Sequence, residues 1–243
     1  MKRQYWYVII AYVIMQLSSI AGVPLLVFLG VGAHSHNAVE AASGYWAVIS
    51  FSITFFLVLF FLRNDIKQRH ERDRAPLSVA WVWAIGGFFL ALFAQGIASN
   101  IEYRLFGIQA GSENTKTIIE IIRLTPALVI VTSVIGPILE EVIFRKIIFG
   151  TLYNKYNFLI AATISSLLFA VVHMELEHLL LYSTMGFTFA FLYAKTKRIF
   201  VPIFAHVTMN TFVVVMQTVF ADHIEQIIKE TDKMQFIFGG FSL

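Results

Sequence analysis

The 243-residue chain is 58% hydrophobic and only 14% charged, with a mean hydropathy of +0.75. Soluble domains carry about 25% charged residues, which excludes a soluble globular class, and apolar runs of about 20 residues without alternation disfavour a β-barrel. With no cysteine, disulfides, thiolate chemistry and Cys-ligated zinc are excluded, and the net charge of +3 is better explained by membrane topology than by nucleic acid.

Taken in order, the chain reads as an all-α, polytopic membrane bundle of about seven transmembrane helices. Lys2 and Arg3 precede an apolar run at 5–31, long enough to span once. That run exceeds a signal-peptide core and shows no cleavage-like site, so it is expected to stay as a span. In the polar loop 32–44, His34 and His36 lack further ligands and make a poor metal site. A second span at 45–62 leads into 63–74, whose five Lys and Arg mark a cytosolic loop. The third span, 77–98, carries Trp81 and Trp83 near its start, where indoles favour the interface. Residues 99–116 are polar and expected outside, and 117–124 reads as an amphipathic interfacial turn. Thr125 and Pro126 are expected as N-cap and first residue of a fourth span, 126–151, with a kink at Gly136-Pro137. Spans at 158–173, 178–194 and 199–220 follow, and the tail 221–243 is expected on the interface. An amino terminus in the cytosol puts 13 of the 18 Lys and Arg on that side, so the carboxyl terminus is expected outside a multi-pass cell-membrane protein.

Within the fourth span stands Glu140-Glu141-Val142-Ile143-Phe144-Arg145. A charge at mid-membrane costs roughly 2.5–3.5 kcal/mol on insertion scales. Glu141 and Arg145 share a helix face at i and i+4, whereas Glu140 points about 100° away with no partner nearby in sequence. A buried ion pair that only fixes packing would explain this motif equally well. Two more polar residues sit in the fifth and seventh spans: His173, one turn after Phe169, and His206, one turn before Asn210. Each histidine alone fits a packing role better than a chemical one. Polar groups on three separate apolar helices are harder to explain by packing, because in lipid they seek each other. A carboxylate opposite a neutral imidazole can deprotonate a water, and His206 with Asn210 offers two donors to one oxyanion. Other chemistries lack their residues: there is no His-Glu-x-x-His and no Gly-x-Ser-x-Gly. His173-Met174-Glu175 lacks the Cys-x-x-Cys of a zinc deaminase. All four aspartates are expected in loops or the tail, so no intramembrane aspartyl dyad is expected.

The ordered trio Glu140-Glu141-x-x-x-Arg145, Phe169-x-x-x-His173 and His206-x-x-x-Asn210 resembles the motifs of the CPBP family of intramembrane proteases. That family includes the type II CAAX prenyl endopeptidases and bacteriocin-processing or self-immunity proteins. The resemblance covers about 120–220 and implies an intramembrane endopeptidase acting on a peptide or membrane-protein substrate in the bilayer, of CAAX or peptide-processing type. It implies Glu140 as general base helped by His173, His206 and Asn210 as oxyanion hole, and Glu141, Arg145 and Phe169 in support. No metal is assigned. Glu140, Glu141, His173 and His206 are of the kinds that ligate Zn²⁺, and a metal-free glutamate mechanism uses the same residues. The metal-free form is preferred, because Asn210 and Arg145 are poor company for zinc.

Two other classes stay open: a non-catalytic scaffold or immunity protein keeping the motifs for packing, and a small transporter with a proton-relay carboxylate. The chain divides by expectation into a three-helix region at 1–117, a catalytic core at 118–220 and the tail 221–243. One tension accompanies this reading. At about 1.5 Å per residue, Glu140, His206 and His173 lie roughly 16, 10 and 22 Å from the cytosolic ends of their spans, so meeting requires unequal, tilted or kinked helices.

Overall fold

The computed structural model describes residues 1–33, 37–67, 74–108 and 113–220. His34, His36, most of the basic loop and the tail 221–243 lie outside the described residues. The fold is all-α, with no strand among the described residues. Helices α1 (Arg3–Phe28), α2 (Ala38–Lys67) and α3 (Leu77–Phe106) lead to the amphipathic α4 (Glu113–Leu124). A long, irregular helix, α5, covers 128–153. It is followed by α6 (Phe158–Val171), α7 (Leu179–Thr196) and α8 (Phe200–Val219).

Among the described residues, four helical segments are apolar and long enough to cross a membrane, Arg3–Phe28, Ala38–Asp65, Leu77–Phe106 and Phe200–Val219. Their outward faces carry large apolar side chains such as Phe56, Phe89 and Phe93, which suits lipid and not water. Their inward faces favour small residues. On α3 the buried positions are Ala80, Ala84, Gly87, Ala91 and Ala98, and small residues let membrane helices approach closely. At Gly186 of α7 a Cβ would fall 2.9 Å from the Cα of Ser166 on α6.

Three expectations are corrected. Helix α3 continues to Phe106 and ends at Gly107 in the left-handed region, φ 70°. The extra turns pass the polar residues 99–106 because Glu102 is buried and bonded to α7. Thr125 does not cap with its side chain; its hydroxyl donates to the Ala41 carbonyl of α2 at 3.3 Å. Asp65 is no loop residue but lies in the last turn of α2, its side chain nearly buried. Lys2, Gln4 and Tyr5 of the chain start donate to it at 2.6–2.8 Å, with Lys146 of α5 at 3.6 Å.

The fourth span is not a simple kinked helix. Its α-helical ladder is interrupted by π-helical turns at Val131–Ile135 and Glu141–Phe149, on either side of Gly136-Pro137. Proline cannot donate to the ladder, and a widened turn loosens carbonyls from it. Neighbouring helices take up two of these: Asn210 of α8 donates to Thr132 O at 3.1 Å, and Ser165 of α6 donates to Phe144 O at 2.7 Å. Helix α6, capped by the Asn157 side chain on Ile160 N–H, has 14 residues. It rises about 21 Å, short of a hydrocarbon core of about 30 Å. The helices are unequal, so His173 is not carried the full height of the bundle.

Candidate active site

Helix α5 presents the two carboxylates into different surroundings. Glu141 and Arg145 are fully buried, and Arg145 Nε stands 3.2 Å from Glu141 Oε2. The contact is ionic and not aligned as a hydrogen bond, and neither Nη of Arg145 has a hydrogen-bond partner among the described residues. The guanidinium instead lies against aromatic rings, 4.5 Å from the Phe169 centroid and 5.7 Å from that of Phe189, a cation–π environment that partly replaces lost hydration. Glu140 keeps 18% of its side-chain exposure and makes no hydrogen bond among the described residues.

Helix α8 brings His206 to both carboxylates. Its Nδ1 is 2.9 Å from Glu141 Oε1, and its Nε2 is 3.7 Å from Glu140 Oε2. With Glu141 ionised against Arg145, that carboxylate only accepts, so Nδ1 carries a proton. The ring plane is held by Phe189, stacked at 4.6 Å and 20°. One turn on, Asn210 uses one amide proton on Thr132 O, leaving the second for another acceptor.

His173 sits in the turn after α6. Its Nδ1 is 2.7 Å from the Phe169 carbonyl; since a carbonyl only accepts, Nδ1 bears the proton and Nε2 of the neutral ring is an acceptor. No hydrogen bond or ion pair joins His173 to Glu140 or His206. The connection runs through Phe169, whose ring centroid is 4.6 Å from that of His173 and 6.1 Å from that of His206.

Glu140, Glu141, Arg145 and His206 are thus in direct contact range, Phe169 and His173 adjoin them, and Asn210 stands one turn along α8. Sequence reasoning missed Phe189, Tyr182 stacked on His173 at 4.1 Å, and Tyr12 of α1, buried within electrostatic reach of Glu140. Aromatic residues in apolar spans carry no signal that separates these from ordinary core. Among the described residues no group of three or more His, Asp or Glu side chains is arranged to hold a metal ion. Glu141 is already matched by a guanidinium and by His206 Nδ1, so the candidate zinc residues do not fit the metal as a complete set of four.

This polar cluster stands among apolar helices, and the chain is similar to known membrane peptidases. Residues 122–212 match the family model described as type II CAAX prenyl endopeptidase Rce1-like. The chain is 51% identical to the membrane peptidase YdiL of Bacillus subtilis strain 168 over the full length of both. It is 33% identical to the membrane-embedded CAAX protease MroQ of Staphylococcus aureus USA300, covering 96% of this chain and 95% of that one. A shorter match, 35% over 83 residues, joins it to the UPF0177 protein YxdF of Lactococcus lactis. No solved structure matches. The chain belongs to the Rce1-like family of CAAX-type membrane proteases, and is by class an intramembrane protease.

Proposed function

We propose that the protein hydrolyses a peptide bond of a peptide or membrane-protein substrate at the bilayer, with Glu140 as general base and no metal in the step. The observation that carries this reading is the contrast between the two carboxylates. Among the described residues Glu140 is partly exposed and without a hydrogen-bond partner, whereas Glu141 is sealed and committed to Arg145 and His206.

Glu140 takes a proton from water as the water oxygen adds to the scissile carbonyl. His173, with its Nδ1 proton on the Phe169 carbonyl, offers Nε2 to orient that water. The oxyanion is met by the free amide proton of Asn210 and by His206 Nε2–H. For Nε2 to donate while Nδ1 faces Glu141, His206 carries a proton on both ring nitrogens in this step. Collapse of the adduct breaks the C–N bond, and Glu140 returns its proton to the departing amine.

Glu140→Gln keeps shape and removes the base, so turnover should fall by on the order of 10² or more. Asn210→Ala should lose roughly 10²–10³ by removing one oxyanion donor. Prolonged chelation should leave the wild-type rate intact. Substrates are found by comparing the membrane proteomes and secreted peptides of cells expressing wild type or Glu140→Gln. Uncleaved precursors should accumulate in the variant. Equal cleavage in both strains refutes the general-base assignment, and loss of activity on chelation with recovery on adding Zn²⁺ refutes the metal-free step.

A further inference from the structure

We propose that Glu175 and Tyr182 are positioning residues that hold the His173 imidazole in place for hydrolysis; this rests on the reading of His173 above. Neither residue belongs to the three motifs. His173 lies beyond the last turn of α6, where its Nδ1 bond to the Phe169 carbonyl ties one ring atom. That bond alone leaves the ring plane free to swing about the Nδ1 anchor. Tyr182 closes this freedom by lying nearly parallel to the imidazole, at 4.1 Å between centroids and 27° between planes.

Tyr182 is in turn fixed at its far end. Its hydroxyl donates to Glu175 Oε2 at 2.7 Å, and the other oxygen of Glu175 accepts the Asn114 backbone N–H at the start of α4, 2.6 Å away. Glu175 reaches both because Met174, between it and His173, adopts the left-handed region at φ 58°, a conformation that L residues rarely take outside functional or capping turns. The segment leading into Tyr182 is also anchored. Glu102 of α3 accepts the Leu181 backbone N–H at 2.9 Å and binds His178 Nδ1 at 2.8 Å. The His173-Met174-Glu175 triplet, which has no zinc-deaminase partner in this chain, thereby acquires a physical role. Its first member is the imidazole and its last supports the ring that holds it.

The test uses purified full-length protein in lipid nanodiscs and a synthetic peptide spanning the bond whose cleavage depends on the Glu140 carboxylate. A displacement of about 1 Å in a catalytic group can cost up to 10²-fold, so Tyr182→Leu should lower kcat roughly tenfold or more with KM within about twofold. Tyr182→Phe keeps the stacked ring and should recover to within about threefold of wild type, the residual loss reporting the Glu175 bond. Glu175→Gln should fall between them. Leu180→Ala, on an exposed position of the same helix, should match wild type, and melting temperatures identify any variant that fails to fold. If Glu140→Gln is inactive while folded Tyr182→Leu keeps the wild-type kcat, or if phenylalanine rescues no better than leucine, the positioning role is overturned and the base assignment stands. If Glu140→Gln cleaves the peptide normally, both fall together.

Discussion

Side by side in the chain, Glu140 and Glu141 meet surroundings that assign them opposite work. Glu141 is buried against Arg145 and His206, and its charge is balanced only while both neighbours remain. Removing one member of a buried pair strands the other and costs about 3–5 kcal/mol, whereas replacing the whole pair with apolar groups is often close to neutral. Arg145→Leu or Glu141→Gln should therefore lower the melting temperature sharply in detergent, and Glu141→Gln with Arg145→Leu should recover much of the loss. Glu140→Gln should melt as wild type does while losing turnover. Thermal unfolding followed by circular dichroism checks this, and a Glu140→Gln protein melting as early as Arg145→Leu contradicts the division of roles.

At the level of helices, the widened turns of α5 do what a plain proline kink does not. Thr132 and Phe144 lie one in each π-helical turn, and both carbonyls are used by side chains of neighbouring helices. Ser165→Ala removes one of these ties and leaves the buried Phe144 carbonyl short of a partner. It should cost about 1–3 kcal/mol, with cleavage reduced less than in Asn210→Ala; a destabilisation under a few tenths of a kcal/mol in chemical denaturation counts against the tie. The long apolar runs were legible because twenty residues without charge leave few alternatives, and the motif residues stood out as polar groups in apolar surroundings. The π-helical turns were not legible, since Gly136-Pro137 announces only that the ladder is disturbed. The extension of α3 past Ser99 was equally hidden. It depends on Glu102 finding His178 and α7 some 76 positions further along, and no local pattern encodes a partner that distant. Tyr182 and Phe189 were not legible either, because nothing local sets them apart from other aromatic residues in apolar spans.

Across the whole molecule, the first three helices are more than a membrane anchor for the motif-bearing part. Tyr12 of α1 is buried in the same core as Leu139 and Phe169, and Asp65 gathers the chain start, α2 and α5. We propose that this end of the bundle faces the cytosol, with the amino terminus inside and the carboxyl terminus outside. The chain has no cysteine, so single cysteines at Asn64 and Arg104, both exposed and at opposite ends of the α2–α3 hairpin, should react with impermeant maleimide from opposite sides. Labelling of both from one side rejects the topology. The intrahelical pairing of Glu141 with Arg145 also bears on biogenesis. Two charges entering the bilayer separately would each cost roughly 2.5–3.5 kcal/mol, but these two lie one turn apart and can neutralise each other while α5 is still leaving the translocon. His206 is synthesised 61 residues after Arg145, so the helix that carries the acids is already inserted when its imidazole partner arrives. The site is then completed as one of the last events of assembly, after the membrane has accepted the charges it is built from.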